Sequence, residues 1–316
     1  MRNQLIQESP AAVPSVYTPA AFARFMALKM VAAATLPATG EIRILDPAVG
    51  DGVLLDALVR SLPEQVWPRV QVFGFDANAE AIRIAASRLH RAYPTVGRHL
   101  RQEDFLSHVI ETGGADNLFA GLNTDSTFHF IIANPPHVRM QIMGDEEARR
   151  LAEHFGLTGS VDLYYPFLLG IAEVLAEDGV AGIITANSDL TSVSGQAVRE
   201  ALLTRFRIQH VWDLGDTSLF DSTMAPSVLV AKGRHRQATT SSPVPAIPYG
   251  AIRRTDAAAQ VRADDVLSAF EANDDTVVSV ADGRRFRVRH GVVDNGGDVL
   301  ARWRLQTGAG SDSEKR

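Results

Sequence analysis

Cysteine is missing from all 316 positions. That absence removes disulfides, thiolate metal sites and any mechanism that attacks through a cysteine. Long apolar runs are missing too. No stretch approaches the about 18 uncharged apolar residues that a membrane span needs, and Met1 to Pro14 has no apolar core of the signal-peptide kind. The expectation is a soluble, cytoplasmic protein with no membrane partner. Basic excess is lacking as well: 31 Lys and Arg stand against 37 Asp and Glu, for a formal net charge of -6 and a pI near 5.9. Contact with a polyanion must therefore come from a local patch. What is present, 46% hydrophobic and 22% charged residues, suits one large domain with a real core plus an appendage.

The chain reads as strand, polar stop, helix, several times over. After a helix from about Pro19 to Ala33, the apolar run 42 to 46 ends at Asp46 and a Gly-bearing turn. Val70 to Asp76 precedes a helical stretch from Ala79 to Leu89, Glu103-Asp104 closes the next unit, and Phe128 to Asn134 the one after. Asp46, Asp76, Asp104 and Asn134 are spaced by 30, 28 and 30 residues, about the length of one βα repeat. Further strands are expected at Val180 to Thr185, Ile208 to Asp213 and Ser227 to Ala231. This predicts an α/β fold with a doubly wound, mostly parallel sheet of about seven strands. Ligands of such sheets bind at the carboxyl ends of the strands, where the four polar residues would converge.

The strand ending Ile131-Ile-Ala-Asn134-Pro135-Pro136-His137 is the most pointed of these stops. Two prolines cannot continue a ladder and hold the backbone stiff. Asn134 then presents an amide oxygen at a rigid strand end, with the Pro135 carbonyl as a second acceptor, a pair that suits an exocyclic amine. In Asp46-Pro47-Ala48-Val-Gly50-Asp-Gly52 the glycines let the backbone approach a ligand closely. Asp76 is placed to accept both hydroxyls of a ribose. Asp104 offers an acceptor for an adenine amine and Phe105 a ring to stack on it, although a core aromatic is the plainer reading of Phe105. No metal-ligand spacing is present.

From Tyr17 to Ala231 these residues resemble the class I S-adenosylmethionine-dependent methyltransferases, and among them the N6-adenine DNA methyltransferases of restriction-modification systems. Tyr17-Thr18-Pro19 looks like the family's N-terminal motif beside the methionine end of the cofactor. Asp46 to Gly52 resembles its glycine-rich cofactor loop, Asp76 its ribose acid and Asp104-Phe105 its adenine motif. Asn134-Pro135-Pro136 resembles its catalytic motif, with Val138-Arg139 following as in large restriction-linked members. The resemblance implies a Rossmann-like methyltransferase sheet, S-adenosylmethionine as cofactor, and methyl transfer to N6 of an adenine flipped out of duplex DNA. His137 departs from the pattern, since the family usually has Tyr, Phe or Trp there to stack on the base; imidazole offers less face. The lack of cysteine rules out C5 methylation of cytosine. N4 methylation of cytosine, glutamine or RNA methylation, and a non-catalytic defence subunit of the same fold stay open as alternatives.

The composition shifts to Thr, Ser and Pro after residue 235. The expected organisation is a catalytic domain over 1–235, a linker over 236–249, a small DNA- or partner-contacting segment over 250–306, and a disordered tail over 307–316. That segment carries Arg253, Arg254, Arg284, Arg285, Arg287, Arg289, Arg302 and Arg304, suited to phosphates or, equally, to its own acids. It looks too small to read a site unaided, so a specificity subunit, a nuclease or a homodimer partner is expected.

Overall fold

A computed structural model of the chain describes residues 18–112, 127–136, 145–156, 164–215, 217, 219, 225–234, 246–294 and 302–306. Helix α1 (Ala20–Ala33) opens behind Pro19, whose ring costs nothing there because no helical N–H is needed before the first turn. Then follow β1 (Ile42–Asp46), α2 (Val53–Ser61), β2 (Val70–Asp76), α3 (Ala79–Ala92), β3 (Gly97–Gln102), α4 (Phe105–Thr112) and β4 (Phe128–Ala133). The local signals are orthodox. In α3, Asn78 caps the helix by accepting the Glu80 N–H at 2.9 Å, and Ala85 and Leu89 form the buried stripe. After α5 (Asp145–Phe155) and α6 (Tyr164–Val174) come β5 (Leu175–Ala186), α7 (Asn187–Thr191), α8 (Gln196–Arg205), β6 (Phe206–Asp213) and β7 (Pro226–Arg234).

Those seven strands lie in the order β3-β2-β1-β4-β5-β7-β6. The ladders β1–β2, β1–β4, β2–β3 and β4–β5 are parallel, while β7 runs antiparallel between β5 and β6. The central strands are buried on both faces, as parallel strands covered by helices must be. Phe130 and Ile132 of β4 enter one core with α1 and α2, and Phe128, Ile131 and Ala133 enter the other with α4 and α6.

The sheet does not stop at seven. Strands β8 (Pro248–Arg254), β9 (Val261–Arg262), β10 (Thr276–Ser279), β11 (Arg285–Asp294) and β12 (Arg304–Gln306) extend it to twelve. β8 joins β6 in parallel through Val211 to Asp213, and β11 follows antiparallel. The stretch read as a linker to residue 249 thus already contains the start of β8, and β8 to β12 continue the same sheet. The physical reason is the β6 edge: an uncovered row of N–H and C=O groups is capped by pairing. Residues 235–245 and the tail 307–316 lie outside the described residues. No described helix is long and apolar enough to cross a membrane.

Candidate functional site

Strands β3, β2, β1 and β4 are neighbours, so the polar residues that close them stand in a row at one edge of the sheet. Adjacent strands are about 4.8 Å apart, which spreads Asp104, Asp76, Asp46 and Asn134 over about 15 Å. That is the span of a nucleoside with a short side arm.

The loop after β1 is built to bring backbone close to this row. Gly50 and Gly52 have φ of 50° and 80°, a region other residues enter only at a cost, and a Cβ on Gly52 would come within 3.0 Å of the Ala85 side chain. Gly52 is also the residue on which α2 starts. The Gly50 N–H donates to Asp76 Oδ2 at 2.9 Å, and the Asn78 N–H donates to Asp76 Oδ1 at 2.8 Å. Asp76 therefore ties the glycine loop to the end of β2 before any ligand arrives. Each carboxylate oxygen keeps acceptor capacity for a hydroxyl. Asp51 adds a 2.6 Å ion pair to Arg88 on α3, fixing the loop from outside.

Asp46 is fully buried. Its Oδ1 accepts the Ala48 N–H at 3.0 Å, but Oδ2 is buried with no hydrogen-bond partner. Burial pushes its carboxyl up to about 8; the Ala48 N–H pulls the other way, and the nearby Asp76 and Asp51 add to the rise. A buried carboxylate oxygen without a donor is costly, and a cationic or hydrogen-bonding ligand group would remove that cost. The residues present thus fit a ligand with positive charge at one end and a ribose further along.

At β4 the ladder ends at Ala133, and Asn134, Pro135 and Pro136 follow outside it. Asn134 Nδ2 donates to Thr18 Oγ1 at 3.2 Å, and Thr18 is itself buried. This contact spends the amide nitrogen on the segment before α1 and leaves Oδ1 as the atom free to accept.

Two expected residues behave differently from a free binding surface. Asp104 caps α4, its Oδ2 accepting the Ser107 N–H at 2.7 Å, so only part of its acceptor capacity is open. Phe105 lies in the core at 1% exposure, tilted against Phe75 and Phe167 with ring centroids 5.7 Å away in each case. It underlies the site and offers no open face, because the first helical turn of α4 points it into the layer between sheet and α6. Pro47 is buried, and Ala48 is partly so. Tyr17 and His137 lie outside the described residues.

Residues 70–220 match the Eco57I restriction-modification methylase family. The type II methyltransferase M.BanIII of Aneurinibacillus aneurinilyticus is 36% identical over 190 residues, 60% of this chain and 33% of that protein. The solved modification subunit of a putative type I restriction enzyme from Vibrio vulnificus aligns with a TM-score of 0.61 at 17% identity, over 92% of this chain and 60% of that one. A putative class I S-adenosylmethionine-dependent methyltransferase from Listeria monocytogenes gives 0.54 at 18% identity, over 72% and 63%. The fold is that of the S-adenosylmethionine-dependent methyltransferases, and the relatives are restriction-modification methyltransferases. Together they support S-adenosylmethionine as the cofactor. The chain spans about a third of the length of the curated relatives it matches.

A buried group at the end of β6 lies outside the row of strand-end residues. Asp213, buried at the end of β6, accepts the Gly215 N–H at 2.9 Å and the Tyr249 hydroxyl at 2.9 Å, and forms an ion pair with Arg253. Tyr249 and Arg253 come from β8, so the added strands grip the carboxyl end of β6. Nothing local in the sequence joins Asp213 to residues about forty positions away.

Proposed function

We infer that the chain transfers a methyl group from S-adenosylmethionine to the N6 amine of adenine in DNA, as part of a restriction-modification or related defence system. The observation that carries this reading is the Asn134 to Thr18 hydrogen bond. It leaves a fixed amide oxygen beside a cradle suited to a nucleoside, the arrangement an exocyclic amine requires.

In this reading Asp46 faces the positive end of the cofactor, Asp76 accepts its ribose hydroxyls, and the backbone of Gly50 and Gly52 lies along it. Asp104 accepts from its adenine. The cofactor supplies an already activated methyl group. Asn134 Oδ1 and the Pro135 carbonyl accept the two N6 hydrogens, which draws the lone pair out of conjugation with the ring and aims it. Orientation supplies most of the rate and no strong base is needed before attack. The adenine reaches the site by leaving the base stack, and His137 would contact it there.

Recognition of a site would draw on a specificity subunit, a nuclease chain or a second copy. The arginines of the added strands support this, because several are already engaged: Arg287 with Asp275 at 2.8 Å, Arg284 with Asp282 at 2.7 Å and Arg289 with Asp274 at 3.6 Å. Guanidinium groups held by their own acids have less to give to phosphates.

The test offers tritiated S-adenosylmethionine with DNA, RNA and protein acceptors to the wild type and to Asn134→Ala. Label is expected at N6 of DNA adenine, with a loss of at least about a hundredfold in the variant while cofactor binding persists. Label in cytosine, RNA or protein would redirect the substrate, and label in DNA from the variant would sink the mechanism. Site-specific labelling by the purified chain alone would remove the need for a partner.

A further inference from the structure

The loop between α7 and α8 is held far more firmly than a connecting loop requires, and it holds out an apolar side chain. Val193 is 72% exposed, between Ser192 and Ser194. Among the described residues it is the most exposed large hydrophobic. Lone exposed valines are commonplace; the bracing around this one is not.

Three sets of contacts fix the loop. From inside, Arg199 of α8 is 1% exposed, and its Nη1 donates to the carbonyls of Ser192 at 2.7 Å and Asp189 at 3.0 Å. Within the loop, the hydroxyls of Ser192 and Ser194 meet at 2.9 Å, and Ser192 Oγ accepts the Gly195 N–H at 3.2 Å. From the far end of the chain, the Trp303 N–H donates to the Leu190 carbonyl at 3.0 Å. A Cβ on Gly195 would fall 1.9 Å from the Asp189 carbonyl oxygen, so the path admits no other residue without rearrangement. A buried arginine is expensive to place, and here it is used to keep one turn of chain in one shape.

The position gives the shape a use. β5 lies beside β4 with Ile183 paired to Ala133, one residue before Asn134. β5 runs on to Ala186, α7 follows, and the Val193 loop comes next. It therefore projects from the same sheet edge at which the base is to be received. We propose that Val193 is a wedge that enters the DNA base stack and holds open the gap left by the flipped adenine. This rests on the DNA methylation reading above. A β-branched side chain suits the role because it has few rotamers to lose. Apolar wedges of this size unstack a base step and are repaid by the bent or opened duplex they hold. The flanking serine hydroxyls offer hydrogen bonds to the sugar-phosphate edges beside the gap.

The experiment compares wild type, Val193→Ser and Val193→Phe, each kept together with any chains that co-purify, on native unmethylated plasmid, with two readouts. One is methyl transfer; the other is plasmid unwinding, read as the linking-number shift after topoisomerase relaxation with protein bound. Val193→Ser should lose transfer by about tenfold, the scale of one buried valine, and lose the unwinding, with cofactor binding unchanged. Val193→Phe should keep both. Either readout retained by Val193→Ser, or no unwinding by the wild type, overturns the wedge. No transfer by the wild type to any DNA overturns the methylation reading itself and the wedge with it, so the two failures are told apart.

Discussion

Asp46 sits where a carboxylate is least welcome, fully buried and with one oxygen unpaired. Its carboxyl is pushed up to about 8 in the folded chain, chiefly by burial, from an ordinary value of 3.8. Between those values the folded state keeps a proton that the unfolded state has lost, so stability falls as pH rises from about 4 to 8. Asp46→Asn removes that titration. The variant without cofactor should melt above wild type at pH 8, by about 2 to 4 °C for each kcal/mol recovered, with the gap closing towards pH 4. Thermal melts across that range check this, and a gap independent of pH would contradict it. The same variant should bind cofactor at least about tenfold more weakly, because a neutral amide cannot balance a positive charge. The places of Asp46, Asp76 and Asn134 at strand ends are legible in the sequence because each closes an apolar run. Phe105 was ambiguous because an aromatic one turn into a helix looks the same whether it faces a ligand or the core. The Thr18 to Asn134 contact joins residues 116 positions apart, and no local pattern announces it.

At the scale of elements, the passage from β1 through Gly50 and Gly52 into α2 depends on two left-handed backbone positions and on Asp76 reaching across from β2. Gly52→Ala strains the second of these and presses on Ala85. It should destabilise the fold by about 1 to 2 kcal/mol and weaken cofactor binding more than the loss of stability explains, since the loop and α2 share that residue. Denaturant melts and equilibrium dialysis measure the two effects separately; an intact affinity would mean that the loop does not line the cofactor. This loop and the order of the βα units could be read in advance because a parallel repeat writes itself locally, about thirty residues at a time. The added strands could not. β8 follows a Thr-, Ser- and Pro-rich stretch that reads as a linker, and its partner β6 lies on the other side of that stretch. Pairing across such a gap is decided by an open strand edge, which sequence does not mark.

For the whole molecule, the net charge of -6 and the internally paired arginines leave a modest field for attracting any polyanion. The twelve strands among the described residues form one sheet, and β8 to β12 are bound into it by the β6 ladder and by Asp213, Tyr249 and Arg253. A protease site inserted between residues 235 and 245 should give two pieces that stay together on gel filtration under native conditions and separate only in denaturant. Release of the smaller piece without denaturant would show that the junction is weak. The parallel β6–β8 pairing also constrains inheritance. A segment hydrogen-bonded into the main sheet cannot be exchanged between relatives as a cassette without remaking the strand it rests on, so β6 and the strands beyond it must change together.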